Sequence, residues 1–132
     1  MQETEQSLEQ IEGDFWGDPP ADATRLIATV HELRRRPIDK LGIEDLRVLI
    51  AQQEGLDVLL PLALDRLEQD PLAEGDFYPG DLLVAVMRVP PAYWQAHPTE
   101  ATRLRGIVAA VDLDELDPET RADVEAFRGN GG

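Results

Sequence analysis

The chain has 132 residues and no cysteine, a length that suits one core and leaves little room for two; disulfides, thiolate metal sites and a thiol nucleophile are excluded. Its 27 Asp and Glu against 12 Lys and Arg give a formal charge of -15, which repels phosphate backbones and anionic membranes and removes both from the expected partners. The start is polar and acidic, and no apolar run approaches the roughly 18 residues a membrane span requires, so a cytoplasmic location is expected.

Apolar residues recur at helical spacing and clean alternation is scarce, which predicts an all-α, single compact domain of about six to seven helices over residues 8–128. Residues 1–7 and 129–132 are expected to be flexible, with Leu8 and Ile11 pinning a short first helix. Residues 20–35 carry Leu26, Ile27, Val30 and Leu33 on one stripe, after Pro19 and Pro20 and before Pro37. The cluster Arg34, Arg35, Arg36 with Lys40 is the nearest approach to a cationic footprint, and its place at a helix end explains it as dipole compensation. A helix from Ile43 to Gln53 turns Leu46, Leu49 and Ile50 inward, with Gly55 suited to the left-handed position that ends it.

The central segment holds Leu56, Leu59, Leu60, Ala63, Leu64 and Leu67 on one face. Pro61 conflicts with a helix interior, so a short turn over 56–60 with Pro61 opening the main helix is the favoured arrangement, and Pro71 sets its limit. Composition alone leaves Leu82 to Met87 open to strand or helix, but Pro79, Gly80 and Asp81 form a turn leading into a cap, which predicts a buried helix over Leu82–Val89. Pro98 and Pro118 mark two further helix starts, whose inward residues include Leu104, Ile107, Val108 and Val111, then Val124 and Phe127. The expected core is Leu59, Leu60, Leu64, Leu67, Leu83, Val86, Ile107 and Val108.

One short echo runs through the chain: Glu12-Gly13-Asp14-Phe15-Trp16 returns as Glu74-Gly75-Asp76-Phe77-Tyr78, and each copy is followed by a Gly-Asp pair. Both copies suit turns between helices, in which glycine permits positive φ and an aromatic side chain anchors the loop. Loop anchoring alone explains them; as function, they present carboxylates beside amphipathic rings, a surface for a basic partner. The candidate partner-binding residues are Asp14, Trp16, Asp18, Glu74, Asp76, Tyr78 and Asp81, with Phe15 and Phe77 expected to point inward.

Catalytic inventory is thin. His31 and His97 lie far apart in sequence without a metal-ligand pattern, and Asp112, Asp114, Asp117 and Glu119 wrap a helix start as a solvated acidic face rather than an ion loop. Ser7 is the one serine. No glycine-rich loop with lysine follows a strand, so nucleotide phosphate has no cradle. No catalytic residue, metal or cofactor is expected, and a non-enzymatic binding protein remains.

The segments Gly17-Asp18-Pro19-Pro20 with Ala23-Thr24, His31-Glu32-Leu33-Arg34-Arg35 with Pro37-Ile38, Glu44-Asp45-Leu46-Arg47 and Pro61-Leu62-Ala63-Leu64 resemble those of contact-dependent growth inhibition system immunity proteins. The most specific stretch runs from Pro71 through Tyr78 to Leu83, with Tyr93-Trp94 after it, so the resemblance spans roughly residues 11–97. Gly42 stands where the family usually has threonine. The resemblance implies a helical, cytoplasmic bacterial protein that neutralises a cognate toxin C-terminal domain. It makes a basic nuclease the expected target, an EndoU-type ribonuclease being one candidate, with the inhibitor a monomer alone and one-to-one with its toxin. A nuclease must be positive where it grips nucleic acid, which suits an acidic competitor. The competing readings are an acidic, non-inhibitory adaptor in a toxin or secretion locus, and a small hydrolase using carboxylates.

Overall fold

Short side chains set the helix starts. In the computed structural model, which describes residues 6–129, Ser7 and Gln10 form a reciprocal capping box at the head of α1 (Leu8–Glu12). Thr24 Oγ1 accepts from the Ile27 amide at 3.2 Å and starts α2 (Arg25–Arg35). Gly42 has no side chain to cap with, so α3 (Ile43–Ala51) has only the returning half of a box, the Gly42 amide donating to Asp45 Oδ2 at 2.9 Å. There follow α4 (Leu56–Gln69), α5 (Asp81–Met87), α6 (Pro91–Ala96), α7 (Pro98–Ala110) and α8 (Pro118–Gly129), with 3-10 turns at Ile38–Lys40 and Leu113–Glu115. The protein is all-α, and α6, begun by Pro91 at its first position, is the helix that spacing did not predict.

The core centres on α4, whose Leu59, Leu60, Ala63, Leu64 and Leu67 are fully buried. Helices α3, α5 and α7 pack on it, α8 closes over α5 and α7, and α1 lies on α2. All eight expected core residues are buried. Before α1 the chain forms a strap: the Gln6 carbonyl accepts from the Ile38 amide at 2.9 Å, and Ser7 bridges to Pro37. Of the termini expected to be flexible, residues 1–5 and 130–132 lie outside the described residues, whereas Gln6 and Ser7 are tied down and Gly129 closes α8.

Four details differ from expectation. Pro61 sits inside α4 rather than opening it, because Gly55 (φ +63°) starts the helix one and a half turns earlier and its carbonyl accepts from the Leu59 amide. Gly55 therefore does not end α3. Gln53 (φ +58°) takes the left-handed position there, and Glu54 N–H closes back on the Leu49 carbonyl at 2.9 Å. Helix α2 starts at Arg25, and Leu26 and Ile27 are exposed although they lie on the predicted stripe, one turn before the buried Val30. Arg34, expected to compensate a dipole in solvent, is 1 % exposed and belongs to the buried face.

Helix α8 also reaches back onto α7. Arg128 donates to the carbonyls of Val108, at 2.7 Å from Nη2, and Val111, at 2.8 Å, joining the Val111 amide, which reaches the Val108 carbonyl at 3.3 Å.

Candidate functional site

The first copy of the echo is the turn between α1 and α2. Gly13 (φ +68°) ends α1 and Gly17 (φ +73°) reverses the chain again. Beneath this turn lies Arg34. Its guanidinium is 4.5 Å from the Trp16 ring centre, pairs with Glu12 at 2.8 Å and Glu54 at 3.2 Å, and donates to the Asp14 carbonyl at 3.0 Å. Trp16 Nε1 donates to Asp14 Oδ2 at 3.2 Å, and the indole meets His31 edge to face. Asp18 reaches Arg35 at 3.0 Å with its carboxylate open to solvent. Phe15, Trp16, Leu26 and Ile27 are all exposed, so apolar surface and carboxylates are neighbours along this part of the chain.

The second copy is the turn before α5, and its backbone is held by carboxylates. Asp81 Oδ1 accepts from the Gly75 amide at 2.7 Å and Oδ2 from the Phe77 amide at 3.1 Å, while Glu44 Oε1 takes the intervening Asp76 amide at 2.9 Å. Three successive amides thus face two carboxylates from different helices. Arg47 balances them, donating from Nε to Glu44 at 2.6 Å, lying 3.9 Å from Asp81, and placing its guanidinium 4.5 Å from the centre of the Phe77 ring. That arginine, helped by the Asp76 amide, holds the Glu44 carboxyl below its ordinary range despite partial burial. A Cβ at position 75 would stand 2.5 Å from Glu44 Oε1 and 3.0 Å from Asp81 Oδ2, so a side chain there would press on both carboxylates that hold the turn.

Tyr78 forms a wall between two depressions. One, of about 210 Å³, lies between α3 and α5 against Arg47, Ile50 and Phe77. The other, of about 570 Å³, is bounded by Glu115, Asp117, Glu119 and Asp123 near the start of α8, with Arg88 on its rim. Asp117 is held below its ordinary range by hydrogen bonds from the Thr120 hydroxyl and amide, and burial pushes the Tyr78 phenol up.

The candidate residues therefore divide. Asp14, Trp16 and Asp18 are brought together over Arg34 and Arg35, and Glu74, Asp76 and Tyr78 gather around the second turn, with Glu74 and Asp76 exposed. Asp81 leaves the set of surface contacts: it is 3 % exposed, because both its oxygens are spent on backbone amides. Phe15 and Phe77, expected inside, are 64 % and 68 % exposed; Arg47 occupies the space beneath Phe77, and in the first turn Arg34 takes Trp16 rather than Phe15. Sequence reasoning missed Arg34, Arg47 and Glu44. The signal existed for Arg34, which follows Val30 by four positions on the apolar stripe.

Among the described residues no group of His, Asp or Glu is placed to hold a metal ion. Glu44, Glu68 and Asp117 are each held below the ordinary carboxylate range, the direction opposite to that required of a general acid at neutral pH. The arrangement suits recognition: fixed carboxylates around amphipathic rings.

A family model described as CDI immunity proteins matches residues 10–104 of the chain. No curated protein and no solved structure gives a significant match.

Proposed function

The chain belongs to the family of CDI immunity proteins, whose members protect against contact-dependent growth inhibition toxins, and from that premise we propose that it binds the C-terminal nuclease domain of its cognate toxin one to one and blocks access to nucleic acid. The observation that carries this reading is the first turn, where Phe15 and Trp16 are exposed with Asp14 and Asp18, followed by Leu26 and Ile27, exposed in the first turn of helix α2, on a chain of charge -15. Exposed aromatic and aliphatic side chains next to carboxylates combine an apolar anchor with charge complementary to a phosphate-binding groove. The second turn adds Glu74, Asp76 and Tyr78, beside the acidic depression at the start of α8. An EndoU-type ribonuclease is one target of this chemistry. No helix of the described residues is long and apolar enough to cross a membrane, in keeping with a protein that meets its toxin in the cytoplasm.

Charge acts here chiefly on the rate of capture. Long-range attraction accelerates encounter, while desolvated pairs and aromatic anchors set the lifetime of the complex. The test is association and residual nuclease activity with the toxin domain encoded in the neighbouring gene, measured across salt concentrations. The Debye length falls from about 10 Å at 0.1 M to about 3 Å at 1 M, so association is expected to slow steeply while dissociation changes little. Trp16→Ala should speed dissociation, whereas neutralising Asp18, already shared with Arg35 at the surface, should mainly lower the association rate. Absence of a specific complex would overturn the proposal. A tight complex that leaves the nuclease active would replace inhibition with an adaptor role.

A further inference from the structure

The two copies of the echo share more than sequence, because each rests on an arginine drawn from a different helix. In the first, Arg34 of α2 lies under Trp16; in the second, Arg47 of α3 lies against Phe77, and both guanidiniums stand 4.5 Å from the ring centre. The contact uses the second aromatic of one copy and the first of the other, so the common element is a ring on an ion-paired arginine rather than a superimposable backbone.

The surroundings of each arginine follow one logic. Arg34 joins Glu12, at the start of its turn, to Glu54 after α3, and also donates to the turn's own backbone at Asp14. Arg47 holds Glu44 and stands near Asp81, and those two carboxylates take the amides of Gly75, Asp76 and Phe77. Without Arg47, two carboxylates would converge on one turn with no cation between them, and their repulsion would loosen their hold on its amides. Phe77 is thereby exposed over two-thirds of its surface and still fixed on one side. A free aromatic side chain on a loop must be immobilised when a partner binds, at an entropic cost that lowers affinity; a ring already seated on a cation avoids much of that loss.

We infer that Arg34 and Arg47 are positioning residues of the toxin-binding turns, each fixing one acidic-aromatic turn in the shape it presents to the partner. This rests on the reading that these turns meet the toxin. Neither arginine need touch the toxin: Arg34 is buried beneath its turn and Arg47 is mostly covered. Their effect therefore falls on the lifetime of the complex and on the order of the turns rather than on long-range attraction.

The experiment uses the full chain with Arg47→Met, Arg47→Lys and Arg34→Lys, each checked for helical content, and the toxin domain encoded in the neighbouring gene. Expected for Arg47→Met are faster amide hydrogen exchange at residues 75–77, dissociation of the toxin complex accelerated about tenfold, and an association rate with unaltered salt dependence. Arg47→Lys, which keeps the charge and loses the planar fork, should fall between Arg47→Met and the wild type. Arg34→Lys should show the same pattern at the Asp14 amide, which bonds the Glu9 carbonyl; should it fail to fold, the Arg47 variants decide the matter, since that side chain lies at the edge of the core. Unchanged exchange at 75–77 would overturn the inference, as would a loosened turn with unchanged dissociation, and in either case protection by the wild-type chain would leave the functional reading standing. Failure of the wild-type chain to protect would sink both.

Discussion

Gly55 and Leu8 illustrate how closely single residues are set in this protein. Gly55 has a φ of +63°, and a Cβ on it would stand 2.7 Å from both methyl carbons of the fully buried Leu8. Gly55→Ala is therefore strained twice and should lower stability by more than about 1 kcal/mol in urea unfolding. Leu64, fully buried at the middle of α4, has no room to be replaced by a smaller group without a cavity, and Leu64→Ala should cost about 2–5 kcal/mol by the same measurement. Leu64 was legible in the sequence because it shares a helical stripe with Leu60 and Leu67. The exposure of Phe15 and Phe77 was not, since hydrophobicity argues for burial and nothing local reveals that an ion-paired arginine occupies the space below Phe77. Asp81 failed in the opposite sense: next to glycine and proline it reads as a surface acid, yet it is consumed by amides four and six positions upstream.

At the scale of elements, Pro61 is the clearest conflict between local preference and packing. It lacks the amide that would bond to the Asp57 carbonyl, and α4 nonetheless runs through it because Leu59, Leu60, Ala63 and Leu64 on either side are all fully buried. Pro61→Ala should raise stability by up to about 3 kcal/mol, seen as a higher urea midpoint with an unchanged slope. Helix α5 was legible from its flanks, though it runs over Asp81–Met87 rather than Leu82–Val89, and Gly80 at φ +91°, with no side chain capping it, takes the N-cap position. The second turn carries a pH dependence of defined sign. Glu44 is held below its ordinary value of 4.5 when folded, chiefly by the hydrogen bond from Arg47, so its contribution is complete above that value and is lost as the pH falls through the lowered one. Wild type should exceed Glu44→Gln in urea stability at pH 7, and the gap should narrow as the pH is taken well below 4.5.

For the whole molecule, helical spacing carried the architecture, because burial of an amphipathic face is the term that dominates a chain of this size. The candidate site was legible only as a pair of echoed segments. Their supports come from residues 20 to 32 positions away, Arg34 to Asp14 and Glu44 to Asp76, and such pairings depend on how α2 and α3 are placed rather than on any local pattern. The acidic depression beside Tyr78 has the same origin, since α8 supplies Glu119 and Asp123 from more than forty residues downstream. The clasp of Arg128 on the end of α7 adds a direction in time. Ribosomes deliver the chain from its N-terminus, so the carbonyls of Val108 and Val111 lack the Arg128 guanidinium until residue 128 has emerged. Every residue of both echoed turns, and both arginines beneath them, precedes Arg128 in the chain, so the clasp between α7 and α8 depends on a residue translated after all of them.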